Sequence, residues 1–136
     1  MRLVVVDTNV IVSAGIRSGS PPGELLMDWI LEGRLQLVTT PRIITEYLEV
    51  MRRTKFQRYG FPPLWLDFLI DESLQLPDTE SESAPCPDPD DTKFLSVARK
   101  SGAWLITGNL KHFPDNIRGD VRVYSPAEYL EILSRR

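Results

Sequence analysis

An α/β fold built on a mainly parallel sheet is the architecture the 136-residue sequence predicts, and three observations predict it. Short apolar runs of strand length recur along the chain: LVVV (3–6), LQLVTT (35–40), AWLIT (103–107) and VRVYS (121–125). Segments with apolar residues at helical spacing separate these runs. Several of the helical segments carry their own start and stop signals. Strands separated by helices pair in parallel through right-handed crossovers, so helices pack against a central sheet.

The elements follow in order. LVVV has no polar residue and reads as a strand buried on both faces. PGELLMDWILEG (22–33) carries apolar residues at helical spacing and stops at Gly33. LQLVTT is the second strand, and Thr40 with Pro41 supplies an N-cap and a first-turn proline for PRIITEYLEVMRR. The aromatic and basic stretch KFQRYGF leads to a helix from about Pro63 to Glu72. LQLPDTESESAPCP (74–87), acidic and proline-rich, reads as a surface loop. DPDDTKFLSVARKSG (88–102) is a helix with Asp88 as N-cap, Pro89 at its first position and Gly102 as its stop. VRVYS is the last strand and PAEYLEIL (126–133) the last helix. GIRSGSPPG (15–23) reads as a flexible loop, and the segment between Asp7 and that loop receives no element. There are no internal repeats, and the length suits one domain spanning 1–136.

Composition narrows the chemistry. One cysteine, Cys86, permits no intrachain disulfide and fits a reducing, cytoplasmic setting. With His112 as the single histidine, no structural zinc site of the Cys/His kind is available. Neither a G-x-S-x-G elbow nor a G-x-x-x-x-G-K-[ST] loop is present, which removes serine-hydrolase and P-loop readings. No apolar run reaches the length of a membrane helix, so no membrane partner is expected. The net charge of −3 argues against bulk attraction to nucleic acid. Carboxylates are what remain for chemistry.

Their positions are informative. Parallel sheets bind ligands outside the carboxyl ends of their strands. Asp7 directly follows LVVV, where it is either a helix cap or a ligand. Asn109 follows AWLIT at the same edge, and the helix starting at Asp88 begins toward it. On PRIITEYLEVMRR, at about 100° per residue, Glu46 falls at the boundary of the apolar stripe near Ile43 and Val50. Glu49 points further out. Asp7, Glu46 and Asp91, with Asp88 or Asp90 nearby, thus converge. Clustered carboxylates without arginine partners repel one another and hold a hard cation, for which Mg2+ or Mn2+ is the natural choice. Such an ion would also neutralise an acidic cleft locally.

Asp7-Thr8-Asn9, Glu46 in ITEYLEV, DPDDTKFLSVA (88–98) and LITGN (105–109), in this order, resemble the PIN-domain nuclease family over nearly the whole chain. Within it the chain looks most like the bacterial, VapC-like branch of toxin components. The resemblance implies a three-layer α/β/α sandwich that cleaves single-stranded RNA with Mg2+ or Mn2+. It also implies a homodimer and a small protein antitoxin covering the acidic cleft. Position by position, Asp7, Glu46 and Asp91 match the metal-binding, catalytic acids. Asp91 is preferred to Asp88 because Phe94 and Ala98 then fall at the helix's usual apolar offsets. Thr8, Asn9 and Thr107 match supporting residues, with Asp88 as the cap. Asn109 stands where an aspartate is frequent; its oxygen can coordinate but brings no charge.

Three functions are therefore weighed. The first is a metal-dependent endoribonuclease whose hydrolysis leaves a 5′-phosphate and a 3′-hydroxyl. The second is a catalytically weakened RNA- or protein-binding module, motivated by Asn109. A phosphohydrolase with Asp7 as nucleophile is disfavoured, because Asn9 stands where a D-x-D start needs aspartate. Arg17, Lys111 and Arg118, in loops bordering the carboxylate edge, are phosphate-contact candidates, and His112 is a surface or phosphate-contact residue. KFQRYGFPPLW (55–65) either stacks unpaired bases or places Phe56, Phe61 and Trp65 in the core or a dimer interface.

Overall fold

A computed structural model describes residues 2–79 and 85–135. The chain runs β1 (Arg2–Val6), α1 (Thr8–Ile16), α2 (Pro21–Glu24) continued by a π-helical turn at Leu25–Ile30, β2 (Leu35–Thr39) and α3 (Pro41–Met51). A 3-10 turn at Thr54–Tyr59 precedes α4 (Trp65–Asp71) and β3 (Leu74–Gln75). A second 3-10 turn, Pro89–Asp91, leads into α5 (Thr92–Ser101) and β4 (Trp104–Ile106). A third, Leu110–His112, precedes α6 (Asp115–Arg118), β5 (Val123–Tyr124) and α7 (Pro126–Ser134).

The five strands form one sheet in the order β3-β2-β1-β4-β5, every pair parallel. Val4 lies beside Leu37 of β2 and Trp104 of β4, while Val6 lies beside Ile106. The chain travels outward from β1 to β3, returns across β1 to β4, and continues to β5. Right-handed crossovers in opposite directions place helices on opposite faces, which makes the three-layer α/β/α sandwich. Val4, Val5 and Val6 are accordingly fully buried, as an all-apolar central strand requires. The order reverses between β1 and β4, and the crevice at their carboxyl ends is where an open parallel sheet binds its ligands.

The capping residues act as expected at three ends. Thr40 Oγ1 accepts from the Ile43 amide at 3.4 Å, Asp88 Oδ1 from the Asp90 amide at 3.0 Å, and Gly102 closes α5 with φ +77°. Ser125 and Glu128 add a reciprocal capping box at the start of α7.

Four expectations need correction. Thr8–Ile16 is a helix, although its β-branched Val10, Ile11 and Val12 gave no helical signal. That helix takes Gly15 and Ile16 out of the predicted loop, and α2 takes Pro21 to Gly23. Gly23 is buried, and a Cβ there would lie 2.1 Å from the Ser18 carbonyl oxygen, so this position admits only glycine without movement. The segment 74–87 is not all loop: Leu74 and Gln75 pair with Val38 and Thr39, and Cys86 is buried. Residues 80–84 of that segment lie outside the described residues. The helix expected from Asp88 begins instead as a 3-10 turn, with the α-helix proper starting at Thr92. In KFQRYGFPPLW, Phe61 enters the core and packs on Phe56 at 5.4 Å, while Lys55, Arg58 and Tyr59 stay exposed.

Candidate metal and catalytic centre

The strand-to-helix turn after β1 answers the first question about Asp7. It occupies the N-cap position of α1 in extended geometry, yet its side chain makes no capping hydrogen bond. Instead Oδ2 accepts from Thr107 Oγ1 at 2.8 Å and from Asn9 Nδ2 at 3.3 Å. The Asp7 amide donates to the Ile106 carbonyl at 2.9 Å, extending the β1–β4 ladder to its last rung. Asp7 is 4 % exposed, and burial pushes its carboxyl above the ordinary aspartate range. The Thr107 hydrogen bond pulls against that shift, and the Glu46 charge adds to it.

Glu46 arrives from α3. Its Oε2 accepts from Thr8 Oγ1, and its Oε1 pairs with Lys93 Nζ at 2.7 Å. The same ammonium donates to the Asp90 carbonyl, so Lys93 ties α3 to the turn before α5. One residue along α3, the fully buried Tyr47 donates its hydroxyl to the Val6 carbonyl at 2.5 Å. This bond joins the residue after Glu46 to the residue before Asp7. Burial, with the Asp7 and Glu46 charges nearby, holds the Tyr47 phenol well above its usual range.

Asp91 sits where the 3-10 turn becomes α5. Burial first, then the Asp7 charge, push its carboxyl up to about 6; His112 opposes this, while Asp88 and Glu46 add to it. Its Oδ2 is buried without a hydrogen bond, and His112 Nδ1 stands 3.0 Å away outside hydrogen-bonding geometry. His112 Nε2 in turn meets Asn109 Nδ2 at 2.9 Å. With the amide nitrogen as donor there, the imidazole proton lies on Nδ1, the side of Asp91. The Asn109 amide proton goes to Thr107 Oγ1 at 3.1 Å, and the Gly108 amide to Asn9 Oδ1 at 3.0 Å. Asn9 thereby joins Asp7 to the loop after β4.

The structure thus brings Asp7, Thr8, Asn9, Glu46, Asp91, Thr107 and Asn109 to one sheet edge, through direct bonds or mutual electrostatic influence. Asp88 caps its turn and reaches the cluster through its charge on Asp91. The outlying cations behave differently. Arg17 and Lys111 are exposed. Arg118 is committed locally, with Nε on the Phe113 carbonyl and the guanidinium 3.3 Å from Asp115. Among the described residues no three His, Cys, Asp or Glu side chains stand ready at metal-ligand spacing. Thr8 and Lys93 occupy both Glu46 oxygens. The donor set nevertheless fits a hard divalent cation. It offers carboxylate oxygens, one of them buried without a hydrogen bond, and two carboxyls whose charged forms are disfavoured first by burial and then by neighbouring carboxylates.

Sequence reasoning missed Lys93, Tyr47 and the position of His112. A signal existed for Lys93, a cation in the first turn of a helix, where the dipole disfavours it and where Asp88, Asp90 and Asp91 precede it closely. Tyr47 was indistinguishable from the other apolar residues of its stripe. Nothing in the sequence tied His112 to Asp91.

Comparison with known proteins agrees with this fold. A family model described as PIN domain matches residues 3–111. The uncharacterized protein MJ1680 of Methanocaldococcus jannaschii is 36% identical over 111 residues, 78% of this chain and 70% of its own length. Among solved structures, VapBC2 from Rickettsia felis, bound to a DNA fragment from their promoter, aligns with a TM-score of 0.62 at 13% identity. That alignment covers 90% of this chain and 98% of the other. FitAcB from Neisseria gonorrhoeae aligns at 0.54 with 19% identity over 91% and 98% of the two chains. At these identities the two structures speak for the fold. No helix among the described residues is long and apolar enough to cross a membrane.

Proposed function

Because the chain belongs to the PIN domain family, we propose that it is a metal-dependent endoribonuclease acting on single-stranded RNA, the toxin of a toxin–antitoxin pair. The observation that carries this reading is the convergence of Asp7, Glu46 and Asp91, from three separate elements, at the sheet's reversal point. A bound Mg2+ or Mn2+ would supply a nucleophile at neutral pH and stabilise charge on the phosphate oxygens. Asp7, Glu46 and Asp91 would hold it, with the Asn109 oxygen as a neutral fourth donor. Thr107 and Asn9 fix the Asp7 carboxylate, and Thr8 fixes Glu46. Lys93 keeps Glu46 neutralised, and its ammonium is placed to pass to a substrate phosphate. The structural resemblance to VapBC2 and FitAcB supports a protein antitoxin as partner, with a homodimer as the expected assembly.

The test is cleavage of a labelled single-stranded RNA with Mn2+, with Mg2+ and with EDTA, comparing the wild type with Asp7→Asn, Glu46→Gln and Asp91→Asn. Cutting that needs metal and disappears in each variant, while each still melts cooperatively, supports the proposal. Undiminished cutting in all three variants overturns it. Asn109 favours a second reading, a weakened binding module, which RNA binding without metal-dependent cleavage would support.

A further inference from the structure

A cavity of about 530 Å3 opens between α3 and α5, beside the acid cluster and sharing Glu46 with it. Its volume is that of a small-molecule site, but its walls are not those of an apolar pocket. Hydroxyls and charges of both signs line it, among them Thr45, Glu49, Lys93, Ser96 and Arg42, which lies 3.9 Å from Asp78 at the wall; none of the described lining residues is aromatic. A nucleobase would find no ring to stack on. A unit carrying hydroxyls at one end and an anion at the other would find acceptors, donors and cations together.

Ser96 supplies the independent observation. It is 5 % exposed, and its Oγ has no hydrogen-bond partner. A serine inside a helix ordinarily bonds back to the carbonyl one turn earlier, as Ser101 Oγ does to Val97 at 2.7 Å. Ser96 does not, and an unpaired buried hydroxyl is unfavourable unless something else occupies it. The chemistry of the proposed reaction supplies a further argument. Hydrolysis that leaves a 3′-hydroxyl makes no use of the neighbouring 2′-hydroxyl, so a preference for RNA has to come from a contact. The 2′-hydroxyl, donor and acceptor at once, is the group through which a protein distinguishes RNA from DNA.

We propose that the cavity between α3 and α5 seats the ribose and phosphate of a nucleotide next to the bond cut at the acid cluster, and that this seat selects RNA over DNA. The proposal rests on the nuclease reading. Glu49 and Ser96 face the sugar hydroxyls, while Lys93 and Arg42 face the phosphate. Thr45, exposed on α3 at the cavity wall, admits a larger side chain without disturbing the core.

Two measurements test it and separate its failure from that of the nuclease reading. The first follows amide chemical shifts during titration with ribose 5-phosphate and, separately, 2-deoxyribose 5-phosphate. Shifts at Thr45, Glu49 and Ser96 with the ribose sugar, at least threefold weaker with the deoxy sugar and abolished in Thr45→Trp, support the seat whether or not RNA is cut. The second compares kcat/KM on an all-RNA oligonucleotide with a set carrying one 2′-deoxy sugar at each position. A penalty of tenfold or more at one position in the wild type, shrinking below twofold in Thr45→Trp and in Ser96→Ala, supports it. Because the Ser96 hydroxyl is unpaired, Ser96→Ala should melt no lower than wild type. RNA cleavage with no position-specific penalty, or with an equal penalty in wild type and variants, overturns the seat and leaves the nuclease standing. Ribose-specific shifts without any cleavage overturn the nuclease and the seat's place beside a cut bond, leaving only ribose-phosphate binding in the cavity.

Discussion

Tyr47→Phe removes one oxygen from the interior, and the structure allows its cost to be worked out. The ring is fully buried and stays so in the variant, so little apolar area changes. What is lost is the hydroxyl's bond to the Val6 carbonyl. A buried acceptor deprived of its partner costs about 1–3 kcal/mol. For a chain of 136 residues the unfolding entropy is about 0.29 kcal/mol/K, so each kcal/mol lowers Tm by about 3.5 °C. The expected fall is therefore about 4–10 °C. Urea denaturation in EDTA should show the same loss with an unchanged slope, since the surface exposed on unfolding is unaltered. The bond also spans the residues adjoining Glu46 and Asp7, so Mn2+ affinity should weaken by at least threefold although Tyr47 is no ligand. A stability change below about 0.3 kcal/mol, smaller than typical surface substitutions, together with unaltered Mn2+ affinity, would refute the idea that this hydroxyl locks α3 to β1.

Three further outcomes are expected. Asp7 and Asp91 bind protons more tightly folded than unfolded, so the stability they contribute is present at low pH and is lost as pH rises. For Asp91 the window runs from 3.8 to about 6. Thermal melts in EDTA across that window should therefore lose this contribution in the wild type but keep it in Asp91→Asn, and Mn2+ should raise Tm more above the window than below it. A pH dependence identical in the two proteins would count against the buried-charge account. Gly23→Ala forces a Cβ to within 2.1 Å of the Ser18 carbonyl oxygen; the displacement should cost about 1–3 kcal/mol by urea denaturation, and a neutral result would mean that the 17–20 loop moves freely. Asn109→Asp adds a carboxylate at the cluster, so titration calorimetry should show Mn2+ binding tightened at least fivefold; no change would place position 109 outside the metal's reach.

The layout of strands and helices was legible because buried parallel strands are written as uninterrupted apolar runs and several helices begin with unambiguous caps. Thr40-Pro41 and Asp88-Pro89 marked their turns within a residue or two. The missed pieces each have a physical cause. Val10, Ile11 and Val12 favour a strand locally, and only packing against the rest of the core makes them helical. Leu74 and Gln75 are too short a strand to carry a periodic signal and exist through pairing with β2. Among the acids of the candidate centre, sheet-edge logic pointed to Asp7, helix periodicity to Glu46, and the family resemblance to Asp91 over Asp88. Lys93 and His112 were not, since their partners lie 47 and 21 positions away and depend on side-chain direction rather than on pattern.

The bond between Thr107 and Asp7 spans 100 positions of chain. β4, which carries Thr107, pairs directly with β1, which carries Asp7, so the last support of the first carboxylate is made late in the order of synthesis. A chain emerging from a ribosome holds Asp7 and Glu46 well before, and Asp91 shortly before, it holds the strand that carries Thr107. No fragment ending short of residue 107 contains the assembled crevice. For the RNA-directed hydrolase proposed above, whose own message and ribosome would lie within reach during translation, this topology would delay competence until nearly the whole sheet has been made.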